Sequence, residues 1–150
     1  QVLGVFSKTW IEPLAQVMKS LGSETVWVVH GSDGLDEITS TGPTHVASLE
    51  QGTVKTFVVT PEDFGLKRSK PEDIKGSDAA FNAKALRGVV EGTRNAYRDI
   101  AVMNAAAGLI VAHKTQSLKE AADIAEAALD DGRVRHVLDA LIKASTDHAA

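Results

Sequence analysis

The chain has 150 residues and no cysteine, which suits one domain that buries about two-thirds of its unfolded surface and excludes disulfides, thiolate nucleophiles and cysteine-based zinc sites. Its 20 acidic and 16 basic residues give a net charge of -4 and a pI near 5.7, without the basic footprint of a general nucleic-acid binder. No apolar run approaches the length that spans a bilayer and no charged-then-apolar leader is read ahead of Gln1, so the expectation is a soluble, cytoplasmic protein with no membrane or nucleic-acid partner.

Gln1-Val-Leu-Gly-Val-Phe6 is an apolar, strand-like run with no turn or cap before it, and Gln1 is not an initiator Met. The chain is therefore expected to be a fragment. From Thr9 to Leu21 the residues Trp10, Leu14, Val17, Met18 and Leu21 recur at helical spacing, which predicts a helix with those side chains inward. Pro13 falls in its first turn and Gly22 suits its end. Val26, Trp27, Val28 and Val29 then form a nearly continuous β-branched and aromatic run, the pattern of a strand buried on both faces. Strand, helix and strand in this order make a right-handed βαβ unit.

That second strand runs into His30-Gly-Ser-Asp-Gly-Leu-Asp-Glu37. In open α/β sheets, ligands bind beyond the carboxyl ends of the strands, and Gly31 and Gly34 let the backbone turn sharply there. Asp33, Asp36 and Glu37 lie within five residues and repel one another unless a cation or ordered donors sit between them. Carboxylates used one or two at a time, with water and substrate phosphate completing the shell, are how proteins hold Mg²⁺. Aspartate and glycine also build ordinary solvated turns, so the composition alone leaves both readings open.

Thr39 to Thr44 is rich in turn formers. His45 to Leu49 and Val54 to Thr60 follow, separated by Glu50-Gln-Gly-Thr53, which predicts a hairpin and hence a mixed sheet. Pro61 to Gly76 carries balanced charges and reads as a solvated connection rather than an anion-binding loop. From Ser77 onward the pattern is helical. Ser77 and Asp78 cap a helix to about Glu91 that buries Phe81, Leu86, Val89 and Val90. The next helix, about Ala96 to His113, is apolar nearly all round between Ile100 and Ala112 and suits a central position, with Ala105 to Gly108 allowing close backbone approach. Asn104 is the odd residue within it, and the expected role of this amide is to tie down a nearby loop. Ser117-Leu-Lys-Glu120 is a capping box, opening a helix with Leu118, Ala121, Ala125, Ala128 and Leu129 inward. A last helix is expected to pack through Val134, Val137, Leu138, Leu141 and Ile142 and to fray from Thr146.

The histidines His30, His45, His113, His136 and His148 lack metal-ligand spacing; His30, closing the central strand, is expected to make backbone or loop-shaping contacts. There is no G-x-S-x-G elbow, Walker-type loop or full GxGxxG, so serine hydrolase, kinase and Rossmann dehydrogenase readings lack support.

His30 to Glu37 resembles the HGxDGLDE signature of the anthranilate phosphoribosyltransferase family. Gln1 to Phe6, Val58-Val-Thr-Pro-Glu-Asp-Phe-Gly65 and Asn104-Ala-Ala-Ala-Gly-Leu109 are similar to segments of that family's carboxyl-terminal half. The resemblance implies an α/β fold with a mixed, mainly parallel sheet and flanking helices. Residues 1–150 would be the C-terminal portion of a phosphoribosyltransferase and nucleoside phosphorylase-like domain, with the N-terminal helical region and phosphate-loop half absent. It implies a parent enzyme that transfers the phosphoribosyl group of phosphoribosyl pyrophosphate to anthranilate, with Mg²⁺ held by Asp36 and Glu37. Asp33 receives no ligand role, and no catalytic side chain is assigned. The family's GTGGD loop, KHGN segment and anthranilate-contacting arginine have no match here, so the chain alone is expected to be inactive. It is also expected to lack the interface of a homodimeric parent. Two alternatives stand beside this reading, a related pyrimidine nucleoside phosphorylase and a non-catalytic module that binds a divalent ion or a partner.

Overall fold

The structure is a computed structural model that describes residues 1–147. Four strands form one sheet in the order β1 (Val2–Gly4), β2 (Thr25–Gly31), β3 (Thr44–Glu50), β4 (Thr53–Val59). β1 and β2 run parallel, with Leu3 opposite Val28, and helix α1 (Ile11–Ser20) is the crossover between them. β2 pairs antiparallel with β3, placing His30 opposite His45, and β3 pairs antiparallel with β4. The sheet is mixed, as expected, but only one of its three pairings is parallel, which corrects the expectation of a mainly parallel sheet. The reason is local. Gln51 and Gly52 both take left-handed φ values, 48° and 73°, which close β3 onto β4 as a tight hairpin. Residues 32–43 return the chain without a helical crossover, so β3 can only run back along β2.

At β2 the sheet is covered on both faces, which is why that strand is apolar nearly throughout, whereas the edge strand β4 is largely exposed. Val26 and Val28 face α1 together with Ala47 and Leu49, while Trp27 and Val29 face the opposite layer with Val46 and Val59. All four consecutive residues of β2 are buried, as their pattern predicted. Each such side chain contributes about 1.5–3 kcal/mol. α1 is rotated from the expected register. Ile11 and Ala15 are buried, with Leu14 and Met18 beside them, whereas Trp10, Val17 and Leu21 are exposed. A single 3-10 turn at Lys8–Trp10 precedes the helix and swings the indole off its buried face.

The opposite layer is built by α3 (Ala96–Val111) and α4 (Leu118–Asp130), with α2 (Ala79–Val90) and α5 (Arg133–Asp147) outside them. α3 is the central helix of this layer through Val102, Met103, Ala106, Ala107 and Val111, but Ala101 and Ala105 face outward. A Cβ at Gly108 would meet nothing within 4 Å, so the expected close backbone approach does not occur there. α4 buries Ala121, Ala122, Ala125 and Leu129. Its capping box is half formed. Glu120 N–H donates to Ser117 Oγ, but the Ser117 N–H donates to Thr115 Oγ1, and the Glu120 carboxylate accepts from that same threonine.

Two helices bury less than their patterns predicted. In α2, capped by Asp78 accepting from Phe81 N–H, Val89 is buried and Val90 half-buried, while Phe81 and Leu86 are exposed. α5 has no fully buried residue, with Val134 and Leu138 half-buried and Val137, Leu141 and Ile142 exposed; it is helical through Asp147, and the rest of the stretch expected to fray from Thr146 lies outside the described residues. His148 lies outside the described residues. The 61–76 connection is not wholly solvated either. Thr60 caps a 3-10 turn at Pro61–Phe64 that drives Phe64, 1% exposed, into the core, and Ser69 N–H donates to Ser40 C=O at 2.8 Å.

Candidate functional site

The acidic turn begins where β2 ends, at Gly31, the carboxyl end of the central strand. Its backbone is closed by Gly31 N–H donating to Leu35 C=O at 2.8 Å and Gly34 N–H donating to Gly31 C=O at 3.0 Å, with Gly34 at φ 95°. A side chain there would strain the turn.

Asp33 shapes this turn. Its Oδ2 accepts from Thr39 Oγ1 at 2.5 Å and Thr41 Oγ1 at 2.7 Å, and its Oδ1 accepts from Leu35 N–H at 3.2 Å. Partial burial pushes its carboxyl up, but the donors from Thr39, Thr41 and Leu35 together outweigh that and hold it below the usual aspartate value. With both oxygens engaged, Asp33 is a strut of the loop. Thr39 and Thr41 are partners that sequence reasoning missed, and only their hydroxyls a short distance after an aspartate could have signalled them.

Asp36 and Glu37 are different: both are exposed, and among the described residues no lysine or arginine pairs with either. Partial burial and the adjacent Asp36 carboxylate push Glu37 above the usual glutamate value, with Asp33 adding a smaller push. Two like charges side by side with no protein cation between them form an electrostatic environment that a bound divalent ion relieves. No third histidine, aspartate or glutamate joins them to form a protein-only metal cage among the described residues. Two hard carboxylates, with other coordination positions left to water and phosphate, would suit Mg²⁺ and would suit a cage-dependent Zn²⁺ poorly.

The ground beneath the pair is rigid. Ile38, Thr39 and Ser40 follow it and are fully buried. Asn104, from the middle of α3, holds both backbone groups of Ile38. Its Oδ1 accepts from Ile38 N–H at 2.9 Å, and its Nδ2 donates to Ile38 C=O at 2.8 Å and to Ile100 C=O at 2.9 Å. The expected loop-tying role of this amide is what the geometry shows. On the other side Gly4 of β1 approaches so closely that a Cβ would lie 1.7 Å from the Asp36 carbonyl oxygen. His30 Nδ1 donates to Val5 C=O at 2.8 Å, the backbone contact expected of it, and joins the first two strands beneath the turn.

The main concavities of the structure lie elsewhere, and none is lined by Asp36 or Glu37. One of about 860 Å³ between α1 and β4 is lined by Lys8, Glu12, His45 and Phe57 and includes neither Asp36 nor Glu37. His45 there is pushed down by burial, with Lys8 and His30 contributing. An apolar groove of about 610 Å³ runs among α2, α3, α4 and α5. Among the described residues no helix is long and apolar enough to cross a membrane.

A mixed sheet flanked by helices, with an acidic turn at the carboxyl end of an interior strand, defines an α/β domain, and the chain belongs to the glycosyl transferase family, a/b domain, whose profile matches residues 1–135. Within that family it is similar to proteins named anthranilate phosphoribosyltransferase. The one from Methylocella silvestris is 56% identical over 145 residues, which is 97% of this chain and 42% of the relative, and the one from Agrobacterium fabrum is 53% identical over 147 residues, 98% and 43%. Among solved structures, anthranilate phosphoribosyltransferase from Saccharomyces cerevisiae in complex with PRPP and Mg superposes with a TM-score of 0.87 at 28% identity, covering 97% of this chain and 42% of that one. The enzyme from Thermus thermophilus gives 0.81 at 35% identity, covering 91% and 40%. The chain therefore spans about two-fifths of the length of the relatives it matches.

Proposed function

We propose that this chain is the carboxyl-terminal, metal-holding portion of an anthranilate phosphoribosyltransferase. The reaction joins the amino nitrogen of anthranilate to the anomeric carbon of phosphoribosyl pyrophosphate as the bond from that carbon to the pyrophosphate oxygen breaks, the electron pair leaving with pyrophosphate and one proton of the amine being released from the nitrogen. The observation that carries this reading is the Asp36–Glu37 pair, exposed and, among the described residues, without a lysine or arginine partner, on a turn clamped at the end of β2. A Mg²⁺ ion, when bound, would supply charge neutralisation of the departing pyrophosphate. In this chain Asp36 and Glu37 would ligate that ion, Asp33 with Thr39 and Thr41 keeps the turn folded, and the buried 38–40 segment keeps the pair from drifting. None of these groups forms a covalent bond with substrate, which suits a reaction governed by positioning and charge. The parent is read as a cytoplasmic homodimer that supplies the remaining donor and acceptor contacts from residues outside this chain.

The test is Asp36→Asn with Glu37→Gln in the full-length parent. Mg²⁺-dependent formation of phosphoribosylanthranilate is expected to fall by about 10²–10³-fold, the size of effect seen when one preorganised charge-stabilising group is lost, with the circular dichroism spectrum unchanged. Unchanged activity in the folded variant refutes the metal assignment. Measurable turnover by the 150-residue chain alone refutes its reading as an incomplete part.

A further inference from the structure

The acidic pair is held from three sides, and the three grips are unequal. Gly4 limits how far the Asp36 carbonyl can move toward β1, but it only blocks. Asp33 with Thr39 and Thr41 fastens the two ends of the turn to each other and to no other layer. Among the described residues, Asn104 alone grips the residue next to Glu37, and it does so from another layer of the fold. It takes both the N–H and the C=O of Ile38, a residue that is fully buried, so neither backbone group has water as a substitute. Its own position is fixed, because it stands in the middle of the central helix between the buried Met103 and Ala106 and donates a further bond to Ile100 C=O within that helix. The amide is thus fully occupied by backbone, and its orientation is set by what it touches: oxygen toward the N–H, nitrogen toward the two carbonyls.

We propose that Asn104 is the positioning residue that sets the spacing and direction of the Asp36 and Glu37 carboxylates, and hence the affinity of the pair for a divalent cation. This rests on the reading of Asp36 and Glu37 as cation ligands. Without the amide, Ile38 exposes its N–H and C=O to nothing, and the backbone must move until water or another group reaches them. Glu37 is one bond along the chain from that movement. Groups that orient metal ligands without touching the metal are typically worth about 10–100-fold in affinity, and Asn104 acts on the backbone of the ligand segment itself.

The experiment measures Mn²⁺ binding to the 150-residue chain by water-proton relaxation, which reads weak sites directly and needs no turnover. Asn104→Ala is expected to weaken binding by about 10–100-fold. Asn104→Gln keeps the amide, so it keeps a means of satisfying Ile38, but its extra methylene displaces the grip, and it is expected to weaken binding while remaining folded. Val102→Ala is the matched control: it removes volume from the same helix where it lines the groove among α2, α4 and α5, and should lower thermal stability without changing Mn²⁺ affinity. Wild-type affinity in a folded Asn104→Ala or Asn104→Gln chain overturns the inference, and so does an equal loss in Val102→Ala, which would mean that Asn104 acts only through stability. A wild-type chain that binds no Mn²⁺, or binds it equally well as Asp36→Asn with Glu37→Gln, overturns the cation reading itself.

Discussion

Replacing Gly4 with alanine tests whether β1 and the acidic turn are one mechanical unit. The methyl carbon would lie 1.7 Å from the Asp36 carbonyl oxygen, 2.7 Å from its carbonyl carbon and 3.0 Å from its Cβ. Carbon and oxygen meet favourably at about 3.3–3.6 Å, so strand and turn must part by about 1.6 Å or more. The nearest obstacles are backbone, so no rotamer change absorbs the displacement. The turn is fastened beneath by Asn104, while β1 is a three-residue strand paired with β2 alone, so the strain is shared between a fixed loop and a weak edge. Overpacking of this kind costs about 1–3 kcal/mol, which in a domain of this size lowers the melting midpoint by roughly 2–4 °C for each kcal/mol. Thermal unfolding of Gly4→Ala beside Gly108→Ala makes the comparison, since the latter adds a methyl in open space on a helix and should be neutral or stabilising by up to about 1 kcal/mol. Mn²⁺ binding to Gly4→Ala should weaken as the turn shifts. A Gly4→Ala chain with wild-type stability and wild-type Mn²⁺ affinity would refute the close packing of β1 on the turn.

Two further predictions concern stability. Glu37 is held above its usual value by burial and by Asp36, so its contribution to stability is present below the unfolded-state value and is lost as pH rises through the folded-state one; Glu37→Gln should raise the melting midpoint at pH 7 in chelator-treated buffer, with the gain disappearing near pH 4. A lower midpoint at pH 7 contradicts the repulsion. Phe64→Ala should cost about 3–5 kcal/mol because the ring is the buried anchor of the 61–76 connection, and limited proteolysis should then cut between residues 65 and 76 faster than in the wild type; a loss below about 1 kcal/mol would show that the ring is not a core residue.

What the sequence disclosed and what it withheld divide along a physical line. The buried strand Val26 to Val29, the hairpin at Gln51-Gly52 and the cap at Asp78 were legible because each is decided within a few residues, by side-chain shape or by a required φ. The run of carboxylates at the end of β2 was legible for the same reason, being a local concentration of charge, whereas the choice of Asp36 and Glu37 within it came from the resemblance. The faces of α1, α2 and α5 were misread because an apolar stripe at helical spacing says that a face favours burial and does not say against what. Ile11 and Ala15 fill the space over the sheet, so Trp10, Val17 and Leu21 have no covering element among the described residues, and Val137 and Leu141 stand likewise. Phe64 was missed because charged neighbours surround it in sequence while a capped turn carries it inward.

Asn104 is the instructive exception, a contact between residues distant in sequence whose kind the sequence implied although it did not name the loop. A lone amide in an otherwise apolar helical segment is costly unless its donors and acceptor are all engaged, so its presence there already implies buried backbone needing partners nearby. Helix interiors satisfy their own backbone and strands satisfy one another's, which leaves loops as the source of such groups. The loop that meets the middle of α3 through that amide is the one carrying Asp36 and Glu37. The polar exception in the core and the charged exception at the strand end are therefore two parts of one device. A rigid helix lends its fixed position to a turn whose carboxylates would otherwise repel each other apart.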